Sequence, residues 1–269
     1  MTISVVILTL DEERNLPGAL ASLRGLCDDV VVFDSFSSDR TCDIAREAGA
    51  RVVQRRFDDY ASQRRVALTD VKYKHEWVLM LDADERVEAS LWEEMGRRVA
   101  GVALDCALFR MRRKDHFMGK WIKHSSGYPT WFGRLVRPGR VRVERSVNEE
   151  YTAEGSVGYL EGHLLHYPFE RGLAHWIDRH NRYSTMEAAI VAQEGSARPR
   201  FGDLLSRDPT FRRKALKSLG YLMPLRPVVV FLYLYILRGG FLDGGPGLHF
   251  CALRGVYEFF IDLKLREAR

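Results

Sequence analysis

The chain has 269 residues, 46% of them hydrophobic, and a formal net charge of +5 at neutral pH. That is enough apolar material for a sizeable core, which excludes a disordered or fibrous chain. Four widely spaced cysteines, Cys27, Cys42, Cys106 and Cys251, include no CxxC pair; they argue against a zinc site or a disulfide framework and read as reduced thiols of a cytosolic protein.

The opening MTISVVILTLDEE has no basic n-region, and its apolar run stops at acids, so it predicts a strand and not a signal peptide. NLPGALASLRGL (15–26) has helical spacing, DDVVVFDS (28–35) is a second strand, and SDRTCDIAREAG (38–49) is a helix with a polar start and a terminal glycine. ARVVQRR (50–56) is a third strand. A helix over 60–67 leads to WVLMLDAD (77–84), and ASLWEEMGRRVAG (89–101) is amphipathic. Strands separated by helices predict βαβ units on a mostly parallel sheet, in which ligands sit outside the carboxyl ends of the strands. Those ends carry Thr9-Leu10-Asp11-Glu12, Asp34-Ser35 and Asp82-Ala83-Asp84.

From about Cys106 to Tyr167 the pattern turns aromatic and basic with short strands, which predicts antiparallel additions to the sheet. The expected organisation is a nucleotide-sugar-binding half (1–105), an acceptor-side half (106–200) and a helical C-terminal region (201–269). From Arg198 onward there are 13 Lys/Arg against 6 Asp/Glu, so the positive charge belongs to the C-terminal third. The longest charge-free run there, Pro227 to Leu237, has 11 residues, whereas a membrane-spanning helix needs roughly 20. The region is expected to lie in a membrane interface, with Arg212, Arg213, Lys214, Lys217 and Arg238 at the headgroups; packing on the catalytic domain or on a second subunit is the alternative.

WVLMLDADERV drives a buried strand into Asp82, Asp84 and Glu85. Two carboxylates one residue apart suit a Mg²⁺ or Mn²⁺ ion that also takes substrate phosphates. A calcium loop fails, because Arg86 holds the fifth position and Val87 replaces the turn glycine. A dehalogenase-type phosphatase would place its DxD after the first strand. A solvated acidic turn capping the next helix is the remaining plain reading, and DxD alone does not decide against it.

Taken in order, SVVILTLDEERNLPGALASL, VVVFDSFSSDRT and WVLMLDADERV resemble the family 2 glycosyltransferases of GT-A fold. Within them, RRFDDYASQRRVAL, HFMGKWIKHSSGYPTWFGRLVR, VNEEY and GFLDGGPG are most similar to bacterial enzymes that add a sugar, such as a β-1,4-glucosyl residue, to the lipopolysaccharide inner core. The resemblance implies that Thr9 and Glu12 lie by the nucleotide, and that Asp34 accepts from the uracil of a UDP-sugar. It places Asp82 toward ribose and metal, makes Asp84 the direct ligand of Mg²⁺ or Mn²⁺, and sets Arg64 on the diphosphate. Asp11 stands where the family has Asn, and Arg65 where Asn follows the arginine. The family's Val-His-Glu reads Val147-Asn148-Glu149 here, so Glu149, beside Glu150, is the implied general base of an inverting displacement. His116, Trp121, His124, Trp131 and Arg134 fall on the implied acceptor side, with His124 and Arg134 the named candidates.

The expected activity is a metal-dependent, inverting hexosyl transfer from a UDP-sugar to a lipid-linked envelope glycan. Its expected place is the cytoplasmic face of the membrane, and a homo-oligomer is possible. A glycosidase needs no diphosphate site. A sugar-nucleotide nucleotidyltransferase should have a Gly-rich basic loop after the first strand, and TLDEERNLPG is not one. A non-catalytic membrane-surface scaffold stays open. A nucleic-acid partner is not expected, because the basic residues interleave with aliphatic runs and form no polar stripe.

Overall fold

The computed structural model describes residues 2–144, 150–193 and 225–267. They divide into two compact units: Met1–His116 with Tyr128–Arg171, and Phe117–Gly127 with Gly172–Arg269.

The first unit begins with β1 (Ile3–Thr9), α1 (Leu16–Leu23), β2 (Val30–Asp34), α2 (Thr41–Glu47), β3 (Arg51–Gln54) and α3 (Tyr60–Thr69). It continues with β4 (Trp77–Asp82), β5 (Glu85–Val87), α4 (Ala89–Gly101) and β6 (Cys106–Phe117). After an excursion into the second unit that carries β7 (Lys120–Trp121), it adds β8 (Trp131–Val136), β9 (Val141–Glu144), β10 (Glu150–Ala153) and β11 (Ser156–His166). Eight strands run in the order β3-β2-β1-β4-β8-β6-β11-β5, while β9 and β10 pair as a separate antiparallel ribbon.

β1 and β4 are almost wholly buried, as expected of parallel strands covered on both faces. Alternation sorts their side chains. Val5, Ile7, Leu79 and Leu81 join Leu16, Leu91 and Met95 in one core cluster, while Val6, Val78 and Met80 join Phe33, Ala67 and Leu68 in the other.

The four strands β3-β2-β1-β4 are parallel, as the βαβ pattern predicts. β8 is antiparallel to both β4 and β6, again as expected. β11 departs from expectation, because it runs parallel to β6: the β9–β10 ribbon intervenes and reverses the chain before it rejoins the sheet. β6, β8 and β11 complete the same sheet as the first four strands, and the expected boundary at 200 lies outside the described residues.

In the second unit, α5 (Leu173–Gln193), α6 (Arg226–Leu232), a π turn (Tyr233–Leu237), a 3₁₀ turn (Gly240–Asp243) and α7 (Gly245–Glu267) are described. No described helix is long and apolar enough to cross a membrane. Buried Asp243 ties the excursion down: its Oδ2 accepts from the backbone N–H of His124 at 2.9 Å, the N–H of Ser125 at 2.8 Å and the Ser125 hydroxyl at 2.7 Å. Lys120 Nζ donates to the Asp243 carbonyl at 2.9 Å. The close turn requires glycine at 247, where a Cβ would stand 2.2 Å from the Gly240 carbonyl oxygen.

Candidate active site

The register aligns the expected residues at one sheet edge. Thr9 pairs with Asp34 across β1 and β2, and Leu8 pairs with Asp82 across β1 and β4. With neighbouring strands about 4.8 Å apart, Asp34 and Asp82 stand roughly 10 Å from one another along the carboxyl edge. That is the span of a nucleoside carrying a short phosphate chain.

Asp34 is fully buried and its carboxylate is saturated. Oδ1 accepts from the Thr9 hydroxyl at 2.9 Å and from the Ser37 hydroxyl; Oδ2 accepts from the Ser37 N–H at 2.9 Å and from Gln54 Nε2 at 3.0 Å. Burial works to raise its pKa, but these donors outweigh it and hold the group below the usual carboxylate range. Asp11 takes a left-handed conformation (φ 54°) and accepts the Ser38 N–H at 2.7 Å, tying the loop after β1 to the loop after β2. Glu12 accepts from Asn15 Nδ2 at 2.6 Å and pairs with Arg171 at 3.2 Å.

The DxD carboxylates separate. Asp82 is gripped on both oxygens, by Arg64 on Oδ1 at 2.7 Å and by Arg134 on Oδ2 at 2.5 Å. Burial pushes its pKa up, and the Arg134 and Arg64 charges overcome that to keep it ionised far below the ordinary range. Both oxygens of Asp82 thus already carry one guanidinium contact each. Asp84 instead faces a histidine, with His166 Nε2 3.3 Å from its Oδ2. The other ring nitrogen of His166 lies 2.6 Å from Asp115 Oδ1. Burial and Arg113 oppose protonation of His166, but Asp84 and Asp115 prevail and raise its pKa.

Glu85 is completely buried. Its Oε2 accepts the Asp82 N–H at 3.0 Å, and its Oε1 accepts from Arg134 at 2.7 Å and lies 3.7 Å from Arg113. Arg113 donates to Asp115 at 3.0 Å. A continuous chain of opposite charges thus runs from Asp82 through Arg134, Glu85, Arg113, Asp115 and His166 to Asp84. The β5–β11 and β6–β11 pairings build it, since His166 stands opposite both Glu85 and Asp115.

Arg134, expected on the acceptor side, belongs to this buried network. His124 lies in the second unit, so the two acceptor candidates do not share a unit. Arg65 is exposed. Glu149 lies outside the described residues. His166, Asp115 and Arg113 were missed by the sequence reading.

The donor set suits a divalent cation. Asp84 offers carboxylate oxygen, and a His166 whose Nδ1–H is held by Asp115 would turn the lone pair of Nε2 toward it, the usual arrangement behind a metal-bound histidine. Among the described residues no three His, Cys, Asp or Glu side chains converge on one point. Two protein ligands plus phosphate oxygens are a common complement for Mg²⁺ or Mn²⁺.

A mostly parallel α/β sheet with polar and acidic groups gathered at its carboxyl edge defines a nucleotide-binding class of domain. Residues 4–152 match the model described as "Glycosyl transferase family 2", more than half of the chain, which therefore belongs to that family. An uncharacterized glycosyltransferase of Rickettsia bellii is 37% identical over 121 residues, 45% of this chain and 37% of that protein. The chain thus aligns with little more than a third of that relative's length. One from Rickettsia typhi is 26% identical over 204 residues, 72% of this chain and 69% of that one. Among solved structures, glucosyl-3-phosphoglycerate synthase from Mycobacterium tuberculosis, crystallised with Mn²⁺, UDP and glucosyl-3-phosphoglycerate, is 24% identical at a TM-score of 0.34, covering 44% of each chain. S. aureus TarS 1-349 is 14% identical at a TM-score of 0.45, covering 100% of this chain and 92% of that one.

Proposed function

We propose that the chain is an inverting glycosyltransferase that moves a hexose from a UDP-sugar to a lipid-linked envelope glycan of the lipopolysaccharide-core kind, working at the cytoplasmic face of a membrane. The observation that carries the donor reading is the alignment of Thr9–Asp34 and Asp82-x-Asp84 along one carboxyl edge of β2-β1-β4. Nucleoside binding falls to the Asp34 end, with Thr9 and Glu12 beside it. The diphosphate falls to the DxD end, where Arg64 supplies positive charge. Asp84 and His166 would hold Mg²⁺ or Mn²⁺, which when bound neutralises charge on the departing diphosphate.

The acceptor hydroxyl gives its proton to a carboxylate, for which Glu149 is the candidate. The acceptor oxygen then bonds to the anomeric carbon as the bond to the UDP oxygen breaks, so an α-linked donor yields a β-linked product. His124 remains a candidate for acceptor contact. Arg134 is better placed to keep Asp82 ionised than to meet an acceptor.

A donor screen tests the reading. UDP release is measured with Mn²⁺ or Mg²⁺ across UDP-, GDP- and dTDP-sugars, with membrane lipid extract as acceptor. Release confined to a UDP-sugar and dependent on the extract is expected. No turnover with any donor would overturn it.

A further inference from the structure

The cations at the carboxyl edge of the sheet are shared with acids. Arg64 and Arg134 both donate to Asp82, at 2.7 and 2.5 Å, Arg113 donates to Asp115 at 3.0 Å, and Arg86 pairs with Glu170 at 2.7 Å. A diphosphate brought to this edge adds negative charge beside Asp82, Asp84 and Glu12. Its approach calls for a cation whose N–H groups are not already taken up.

Arg171 has that character. It ends a short strap that leaves β11 after His166 and is fastened to the DxD turn. The Tyr167 N–H donates to the Asp84 carbonyl at 2.8 Å. Glu170 holds Arg86, whose Nη1 donates to the Ala83 carbonyl at 2.8 Å and whose guanidinium lies 5.5 Å from the Tyr167 ring centroid. From this anchorage the strap reaches the loop after β1. There Arg171 Nη1 donates to the Leu10 carbonyl at 3.3 Å and to Glu12 Oε1 at 3.2 Å. Both contacts are long for a charged donor, and both use the same nitrogen. Among the described residues the Nε and Nη2 of Arg171 make no hydrogen bond or ion pair.

Position identifies the ligand. β1 lies between β2 and β4 in the sheet, so its end falls between Asp34 on one side and Asp82 with Asp84 on the other. A donor laid along that edge with its nucleoside at Asp34 and its metal-bound phosphate at Asp84 passes its first phosphate across the end of β1. Nε and Nη2 form one planar edge of a guanidinium, which fits two oxygens of a phosphate. The third nitrogen is the one that Leu10 and Glu12 already hold.

We propose that Arg171 binds the first phosphate of the nucleoside diphosphate through its Nε–Nη2 edge, while Glu12 and the Leu10 carbonyl orient it through Nη1. This rests on the donor reading above and adds to it a second phosphate-binding arginine, carried by a different segment from Arg64. It also gives Glu12 a task that needs no contact with the nucleotide.

The test is equilibrium binding of UDP and of uridine to the whole chain at one fixed Mg²⁺ concentration. Arg171→Gln should weaken UDP binding about 10–100-fold and leave uridine, which has no phosphate, within about twofold. Arg171→Lys keeps the charge without the planar edge and should lose less. Glu12→Gln keeps an oxygen for Nη1 and removes a negative charge near the phosphate, so UDP affinity should match or exceed that of the parent. The melting temperatures of the two Gln variants should agree, because each removes the same partly exposed ion pair. Unchanged UDP affinity in Arg171→Gln overturns the proposal, as does a parallel loss of uridine binding. An equal loss of UDP affinity in Glu12→Gln overturns it too, because the pair then only braces the loop. A parent chain that binds neither UDP nor uridine overturns the donor reading itself, and this inference with it.

Discussion

A single guanidinium nitrogen, Arg134 Nη2, donates to Asp82 at 2.5 Å and to Glu85 at 2.7 Å. Glu85 therefore balances an arginine that would otherwise meet Asp82 with excess positive charge in a closed interior. Removing one partner of a buried pair leaves an uncompensated charge, at a cost of about 3–5 kcal/mol. Glu85→Ala should lose stability on that scale in denaturant titration. Arg134→Lys, which keeps the charge but not the planar fork, should lose less in stability yet lower kcat more than KM.

Asp84 and His166 can be separated from Asp82 by metal binding itself. Asp84→Asn should abolish turnover and the metal-dependent part of UDP affinity. Asp115→Asn leaves both proposed ligands in place but loosens the histidine, and should weaken Mn²⁺ affinity about 10–100-fold, read by electron paramagnetic resonance of free Mn²⁺.

At Asp34 the two oxygens differ in their partners. Oδ1 faces hydroxyls of Thr9 and Ser37, which can reverse and accept, whereas Oδ2 faces two N–H donors. Asp34→Asn can therefore seat its amide nitrogen at the Oδ1 position and keep the fold, with a stability loss of about 1 kcal/mol. The charge is lost, and calorimetry should show UDP affinity reduced while the melting transition moves little.

His180 stacks on Trp176 with ring centroids 3.5 Å apart, its Nδ1 2.8 Å from the Trp176 carbonyl oxygen. Burial pushes its pKa down to about 4 from the ordinary 6.5. Between those values the unfolded chain binds the extra proton, so this contribution is complete above pH 6.5 and is lost as pH falls toward 4. Stability should drop by of order 2 kcal/mol from pH 7.5 to 4.5 on this account. His180→Phe should flatten that slope, as chemical denaturation at several pH values would show.

The first four strands and the residues that end them were legible because each buried parallel strand is a short apolar run that stops at a polar group. Thr9, Asp34 and Asp82 are simply the places where those runs break. α4 matches its predicted range, 89–101, residue for residue, since the amphipathic period and the terminal glycine agree. Arg134 and His166 were not legible in their actual roles. Each reaches the DxD turn through strand pairings between residues 56 to 81 positions apart, and no local period encodes such a register. The parallel course of β11 was hidden for the same reason.

The clamp of Asp243 on His124 and Ser125 makes the second unit discontinuous, since residues 117–127 are threaded out from between two strands of the sheet. A chain ended at Arg171 would keep every described strand yet leave those amides and the Ser125 hydroxyl without their acceptor. The sheet cannot be obtained by a simple cut. Swapping the C-terminal helices between relatives should succeed only when the 117–127 loop travels with them.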